Sequence, residues 1–261
     1  MARFTNSRTA AQSTHPSTGY RNYFIWAIET SVSGRTVTAT YKIYAQGNFE
    51  PYYDWPTTVT AKVGTTTVWN AVTSPRMPAG SGHWDTVSVS IGGNTYQRCY
   101  TLGSGTYTAG NAAEDVSVSF SYKISGSAYY LPPAGTYTVS GTVSLAAVTY
   151  TVSYNKGANG TGTNTTDTKT YGVALTLKGA IFTRVGYKQT GWATSDGGSQ
   201  AYALSGSYTA NAAVTLYPVW TATTYINVSG TWKPAVVYIN VGGTWKEATV
   251  YVNVSGTWKA L

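Results

Sequence analysis

The stretch Arg35–Tyr44, which reads RTVTATYKIY, decides the fold class because apolar and polar residues alternate along it. The four apolar residues from Val37 to Ile43 would share one face of a strand, and the threonines would share the other. This period of two indicates one buried and one solvated face, as in antiparallel sheets. The alternation recurs at 87–91, 116–124 and 137–145, with Gly- or Pro-rich turns between the runs. The sequence therefore predicts an immunoglobulin-like β-sandwich of seven or eight strands over residues 20–147.

The composition of the 261 residues supports an all-β protein. Hydrophobic residues make up 42% and charged residues only 10%, against about 25% in typical globular domains. The chain has 23 Tyr and 9 Trp, which favour strands. No window shows a sustained helical period of apolar residues.

The C-terminal segment, residues 222–261, is an internal repeat. Its units are YINVSGTWK at 225–233, YINVGGTWK at 238–246 and YVNVSGTWK at 251–259. Each unit is typical of a β-hairpin with a two-residue turn. One hairpin is not stable alone in water, so we expect the three to rest on a neighbouring domain, a symmetry-related chain or a ligand.

Residues 148–221 form a further predicted module with a first strand at Thr149–Tyr154 and a last strand at Val214–Trp220. Between them lie a Gly/Asn-rich turn and the motifs LTL at 175–177, TRVGY at 183–187, GW at 191–192 and DGG at 196–198. This order resembles the internalin B-type, or Listeria–Bacteroides, repeat. Lys178 departs from that pattern, which commonly has proline there. The resemblance implies a small β-grasp-like domain that serves surface adhesins as a spacer or interaction unit, without catalytic residues.

The first nineteen residues are polar and without periodicity, which predicts a flexible arm. They contain no apolar segment of the signal-peptide kind, so we expect synthesis in a bacterial cytosol. No run is long enough to cross a membrane. The net charge of +8 comes from 17 scattered basic residues and few acids, which disfavours a nucleic-acid partner and allows weak attraction to anionic wall polymers.

Residues for catalysis or metal binding are scarce. His15 lies in the arm, and His83 with Cys99 cannot supply the three or four ligands of a zinc site. Cys99 is interpreted as a small strand residue. Glu114 and Asp115 are adjacent, so on a strand they would point to opposite faces. We therefore expect no catalytic residues, no metal and no cofactor. A polysaccharide depolymerase stays open only if carboxylates meet across strands or subunits.

Aromatic residues supply the candidate contacts. The loop Gly47–Pro56 carries Tyr52, Tyr53 and Trp55, which would either contact a glycan or partner or close the end of the sandwich. The repeat residues that could contact a glycan are Trp232, Trp245 and Trp258 with Lys233, Lys246 and Lys259. In the alternative, each Trp packs over the neighbouring hairpin and each Lys is only solvated.

The repeats are similar to YVNVxGxWK units of tail-associated proteins in phages of Gram-positive bacteria. The layout of the first module is similar to siphovirus-like minor structural proteins. These resemblances imply a non-enzymatic virion protein of tail-fibre type that mediates assembly and host attachment. The implied partners are other virion proteins, a host surface glycan and copies of itself, with a trimer expected. A head fibre or capsid decoration protein and a bacterial surface adhesin are the alternatives.

Overall fold

The computed structural model of the chain describes residues 1–7, 9–11, 22–47, 57–73, 83–125, 132–248 and 250–260. Over these residues the protein has 23 strands and no α-helix, which confirms the predicted all-β class. The chain divides into two compact units, Met1–Ala146 and Ala147–Leu261. This division lies within one residue of the predicted end of the sandwich.

Ten strands lie in the described segments of the first unit. They are β1 (Ala2–Thr5), β2 (Thr9–Ala11), β3 (Asn22–Ser33), β4 (Thr36–Gln46), β5 (Thr57–Val63), β6 (Thr66–Val72), β7 (Asp85–Ile91), β8 (Asn94–Thr108), β9 (Glu114–Ile124) and β10 (Gly135–Leu145). Eight of them, β3 to β10, fall in the segment for which seven or eight were predicted.

Two antiparallel sheets make up this unit. One has the order β1-β3-β4-β8-β7, with β2 also on β3, and the other has the order β10-β9-β5-β6. Four successive hairpins, β3–β4, β5–β6, β7–β8 and β9–β10, alternate between the two sheets. The sandwich is therefore assembled hairpin by hairpin.

The core lies between the sheets and follows the alternation of the sequence. Val37, Ala39, Tyr41 and Ile43 of β4 are all fully buried in it. Within this core Trp26 of β3 stacks on a tyrosine of β10, with ring centroids 3.9 Å apart. Burial of such aromatic and β-branched side chains is the main source of stability for a fold with so few charges.

A second, smaller apolar cluster lies on the other face of the larger sheet. It contains Ile25, Tyr44, Tyr96 and Cys99, all nearly inaccessible to solvent. Burial raises the pKa of the Cys99 thiol, which keeps it in its unreactive form. Its position agrees with the interpretation of Cys99 as a small strand residue.

Within the predicted flexible arm of nineteen residues, the described residues 1–7 and 9–11 contain two strands. Both β1 and β2 pair antiparallel with β3, so the backbone amides of this polar stretch complete a sheet edge. The ring of Phe4 also packs over Gly141 of β10 and occupies the space that an added Cβ would need. Backbone pairing and one aromatic contact suffice to order a strand that has no apolar periodicity.

The second unit contains thirteen strands. They are β11 (Thr149–Tyr154), β12 (Thr165–Thr170), β13 (Leu175–Thr176), β14 (Tyr187–Ala193), β15 (Tyr202–Ala203), β16 (Ser207–Tyr208), β17 (Val214–Ala222), β18 (Tyr225–Val228), β19 (Thr231–Pro234), β20 (Val237–Val241), β21 (Thr244–Ala248), β22 (Tyr251–Val254) and β23 (Thr257–Ala260).

The part of this unit before β18 is built on a five-stranded sheet of order β12-β11-β17-β14-β15. Its first and last long strands, β11 and β17, pair in parallel. Trp192 of β14 is fully buried at the centre, 4.8 Å from the ring of Tyr154 and 5.9 Å from that of Phe182. Its indole Nε1 donates a hydrogen bond of 2.9 Å to the carbonyl oxygen of Lys178.

The rest of the unit consists of three two-stranded sheets, β18–β19, β20–β21 and β22–β23. Each is one of the predicted hairpins, with the turn at the Ser-Gly or Gly-Gly pair. Over the described part of the chain, no helix is long and apolar enough to span a membrane.

Candidate functional site

The register of the hairpins divides the side chains of each repeat between two faces. Asn227 lies opposite Trp232, and Ile226 lies opposite Lys233. Directly opposed residues share a face and neighbours along a strand alternate, so Trp232 lies on one face and Lys233 on the other. The second hairpin repeats this register in β20 and β21, and the third repeats it in β22 and β23.

The turn of each hairpin explains two fixed positions of the repeat. Ser229 and Gly230 have φ angles of 52° and 85°, as a type I′ turn requires at both central residues. The amide of Gly230 donates a hydrogen bond of 2.9 Å to Oδ1 of Asn227. Equivalent hydrogen bonds join Gly243 to Asn240 at 2.9 Å and Gly256 to Asn253 at 2.8 Å. The asparagine of each repeat therefore stabilises the turn.

The aromatic face of the hairpins is open to solvent. Trp232 and Trp245 are both 67% exposed, and Tyr225, Tyr238 and Tyr251 are about half exposed. Because Trp232 and Trp245 keep most of their surface in water, this chain does not cover them. In the described part of the chain, no neighbouring hairpin covers either of these two side chains. The expected contact of the repeat residues with a glycan or partner stays a prediction.

The opposite face is aliphatic and equally open. Ile226 and Val228 of the first hairpin and Ile239 and Val241 of the second are each 42–50% exposed. Lys233 and Lys246 share this face with them. The predicted lysines therefore lie on the aliphatic face, and the Trp of the same hairpin lies on the other face. Each of these two hairpins thus has one charged, aliphatic face and one aromatic face.

One acid lies among the repeats, on the aromatic face. Glu247 is opposite Tyr238 and accepts a hydrogen bond of 2.8 Å from its hydroxyl group. This hydrogen bond raises the pKa of Tyr238. Pro234 and Ala260 occupy the equivalent positions of the other two hairpins. The second hairpin therefore presents a polar tyrosine–carboxylate pair that the other two lack.

Some predicted contact residues lie outside the described part of the structure. These are Tyr52, Tyr53 and Trp55 of the loop, whose expected role stays a prediction. The backbone of Trp258 lies opposite Asn253, as in the other repeats. Lys259 is exposed, like Lys233 and Lys246. The hairpins thus bring together the predicted repeat residues that the structure describes.

Three of the residues considered for catalysis, Glu114, Asp115 and His83, lie in the described part of the chain. Glu114 accepts hydrogen bonds from the hydroxyl of Tyr107 at 2.6 Å and the amide of Gly110 at 3.2 Å, while Asp115 is exposed. His83 is exposed as well. Within the described ranges, no three His, Cys, Asp or Glu side chains are close enough to hold a metal ion. The absence of enzymatic activity stays a prediction.

Comparison with known proteins supports one of the resemblances. Residues 150–219 match the Listeria-Bacteroides repeat domain family, so the chain contains such a domain. The match spans β11 to most of β17 and includes the buried Trp192 of the GW motif. No curated protein and no solved structure matches the chain.

The role of the repeated asparagine was missed at the sequence level, although its signal was visible. An asparagine three residues before a turn glycine in all three repeats is the pattern of a side-chain to backbone hydrogen bond. The separation of Trp from Lys also follows from counting along the strand. The exposure of both faces could not be read from the sequence, because it depends on what the rest of the chain covers.

Proposed function

We propose that this chain is a structural and adhesive component of a bacteriophage particle, associated with the tail as a fibre or tail-tip protein. Its job would be assembly of the particle and attachment to the host surface. The observation that carries the proposal is the solvent exposure of Trp232 and Trp245 on a repeated hairpin. Aromatic side chains are costly to leave in water, and rows of them are typical of contact surfaces.

Three further features support this proposal. The repeats resemble units of tail-associated phage proteins, and the layout of the first unit resembles siphovirus-like minor structural proteins. The Listeria-Bacteroides repeat domain lies between the sandwich and the hairpins in the chain, where a spacer would lie. The low charge and the excess of threonine, serine and tyrosine suit a surface that binds polar glycans through hydroxyl groups and rings.

The two faces of the hairpins suit two different partners. The aromatic face, with Trp232 and Trp245, fits the apolar faces of sugar rings in a host glycan. The aliphatic face fits a second copy of this chain, in keeping with the expected homotrimer. The three lysines on or near that face would attract phosphate groups of wall polymers at longer range.

A binding experiment tests the adhesive part of the proposal. The variant Trp232→Ala/Trp245→Ala/Trp258→Ala should bind host cell walls at least tenfold more weakly than the unaltered chain. The matched control is Val228→Thr/Val241→Thr/Val254→Thr, which changes the opposite face. Below the concentration at which the unaltered chain associates, this control should keep wall binding within about twofold of that of the unaltered chain. Circular dichroism and the melting of both units establish that each variant is folded. Unchanged wall binding by the folded tryptophan variant would reject the aromatic face as the adhesive surface.

A bacterial surface adhesin is a second candidate, and the Listeria-Bacteroides repeat domain favours it. Such an adhesin would share the glycan-binding face and differ in its location. Antibody labelling of cells without phage separates the two candidates. Label on uninfected cells supports the bacterial adhesin, whereas label confined to particles supports the virion protein.

A further inference from the structure

Gln189 of β14 is a buried polar residue whose hydrogen bonding is incomplete. It is 3% exposed, and its Oε1 accepts hydrogen bonds from the amides of Ile181 at 3.2 Å and Phe182 at 3.1 Å. These two bonds fix the orientation of the side-chain amide. The Nε2 group is inaccessible and has no partner in the described part of the chain. A buried donor without an acceptor loses its hydrogen bond to water and gains none in return, so its retention needs an explanation.

A β-bulge places this glutamine. The register of β14 against β17 shifts between Gln189 and Gly191, which inserts one residue into the strand. Gln189 and Trp192 are three positions apart, yet both are buried. A bulge of this kind redirects a side chain and is frequent beside binding sites.

The same glutamine lines a cavity of about 390 Å³ in the second unit. Besides Gln189, its walls include Thr161, Thr183, Arg184, Tyr187 and Thr224. This volume lies at the lower end of the range for small-molecule sites, which is about 300–1,000 Å³. The cavity therefore has room for a single small ligand.

The lining of the cavity defines the ligand that it could take. The guanidinium carbon of Arg184 lies 3.7 Å from the ring centre of Tyr187, so the charged plane is held against an aromatic face. The hydroxyl groups of Thr161 and Thr183, both in the cavity lining, form a hydrogen bond of 2.7 Å with each other. None of the residues that line the cavity is acidic. The site thus offers a fixed cation and hydroxyl groups, and the unsatisfied Nε2 donor of Gln189 lies buried behind its wall.

We propose that this cavity binds a carboxylate-bearing sugar. Its carboxylate would form the paired hydrogen bonds that a planar guanidinium offers, at Arg184. A small shift of the cavity wall would let a ring hydroxyl oxygen accept from Nε2 of Gln189, and the threonine hydroxyl groups would bind the remaining hydroxyls. The proposal does not depend on a virion role, because it follows from residues of the repeat domain and the segments next to it.

Titration of the full-length chain with D-glucuronate, followed by ¹H–¹⁵N NMR, tests the proposal. A ligand of this size should bind with a Kd on the order of 1 mM. The shifted resonances should be those of the cavity walls. D-glucose, which lacks the charge, and N-acetylglycinate, which lacks the ring, should each bind at least tenfold more weakly. A glucuronate-containing tetrasaccharide that binds more tightly than the monosaccharide would indicate a polymer as the source; equal affinity would indicate the free sugar acid.

Two variants and one control isolate the contacts. Gln189→Glu keeps an acceptor for the amides of Ile181 and Phe182 but replaces the Nε2 donor, so glucuronate affinity should fall at least tenfold. Arg184→Gln should cause a similar loss. Lys188→Gln removes the same charge from an exposed neighbour outside the cavity lining and should change the affinity less than twofold.

Several outcomes would overturn the proposal. One is that D-glucuronate causes no resonance shift at concentrations up to 20 times the expected Kd. Another is that D-glucose or N-acetylglycinate binds as tightly as D-glucuronate. A third is that Arg184→Gln and Lys188→Gln lose the same amount of glucuronate affinity. If Gln189→Glu does not fold, the comparison of Arg184→Gln with Lys188→Gln decides the question, since neither residue is buried.

Discussion

Glu29 is the residue at which the N-terminal strand is tied to the sandwich. Its carboxylate accepts hydrogen bonds from Nε of Arg3 at 2.7 Å and the hydroxyl of Tyr44 at 2.6 Å, and it pairs with Nζ of Lys42 at 2.7 Å. Burial by itself would raise the pKa of Glu29. The hydrogen bonds from Lys42, Tyr44 and Arg3 outweigh it and lower the pKa to about 2.

This pKa predicts an acid-dependent stability of the first unit. The pKa of Glu29 is lower in the folded chain than its ordinary value of 4.5, so its stabilisation is complete above that pH and is lost as the pH falls to about 2. At pH 7, Glu29→Gln should lower the free energy of unfolding by about 2–3 kcal/mol. Urea titrations from pH 7 to pH 2 should show that the difference in the free energy of unfolding between Glu29→Gln and the unaltered chain becomes smaller as the pH falls. Asp115→Asn, at an exposed acid, is the matched control. A difference for Glu29→Gln that stays constant with pH would contradict the assignment.

At the scale of single elements, the ordered state of strand β1 depends on Gly141 of β10, which has no side chain. The ring of Phe4 occupies the space that a Cβ of Gly141 would need. The sequence at Phe4 could not reveal this, because one aromatic residue in a polar stretch has no periodicity. The alternating strands β4 and β9 were predictable because their burial repeats every second residue.

The substitution Gly141→Ala should therefore loosen β1. The added methyl group would displace the Phe4 ring, at a cost of about 1–3 kcal/mol. Thermal unfolding and faster hydrogen exchange of the β1 amides would measure the effect. Gly110→Ala is the matched control, because a Cβ there meets nothing within 4 Å. Unchanged exchange in β1 would show that the strand does not depend on this contact.

The hairpin turns give a second prediction at this scale. Asn240→Ala removes the acceptor for the Gly243 amide and should weaken the second hairpin by about 0.5–1.5 kcal/mol. Amide exchange in β20 and β21 should become roughly threefold to tenfold faster. Asn253→Ala should produce the same change in the third hairpin and leave the second unaltered. Equal acceleration of all three hairpins by either variant would argue against a local turn contact.

At the scale of the whole molecule, two well-packed bodies contrast with three open hairpins. The sandwich and the Listeria-Bacteroides repeat domain each bury their own aromatic core. The hairpins expose aliphatic and aromatic residues on both faces, although isolated hairpins are marginal in water. The sequence predicted the repeat and its turns from spacing alone. It could not predict that both faces stay exposed, because exposure depends on what the rest of the chain covers.

Self-association through the aliphatic face follows from this contrast. We expect sedimentation equilibrium to show a concentration-dependent trimer of the full-length chain. Val228→Thr/Val241→Thr/Val254→Thr should weaken the association of the trimer by at least tenfold, because the aliphatic surface that the trimer would bury becomes polar. The tryptophan triple variant should associate like the unaltered chain. A monomer at all concentrations would remove self-association from the proposed function.

The central claim is that this chain is a component of a bacteriophage particle, with its hairpins available for contact. Mass spectrometry of purified particles, combined with immunogold electron microscopy using antibodies against residues 222–261, tests it most directly. We predict that the protein is present in intact particles and that gold particles label the tail or its tip. Absence of the protein from intact infectious particles would contradict the claim.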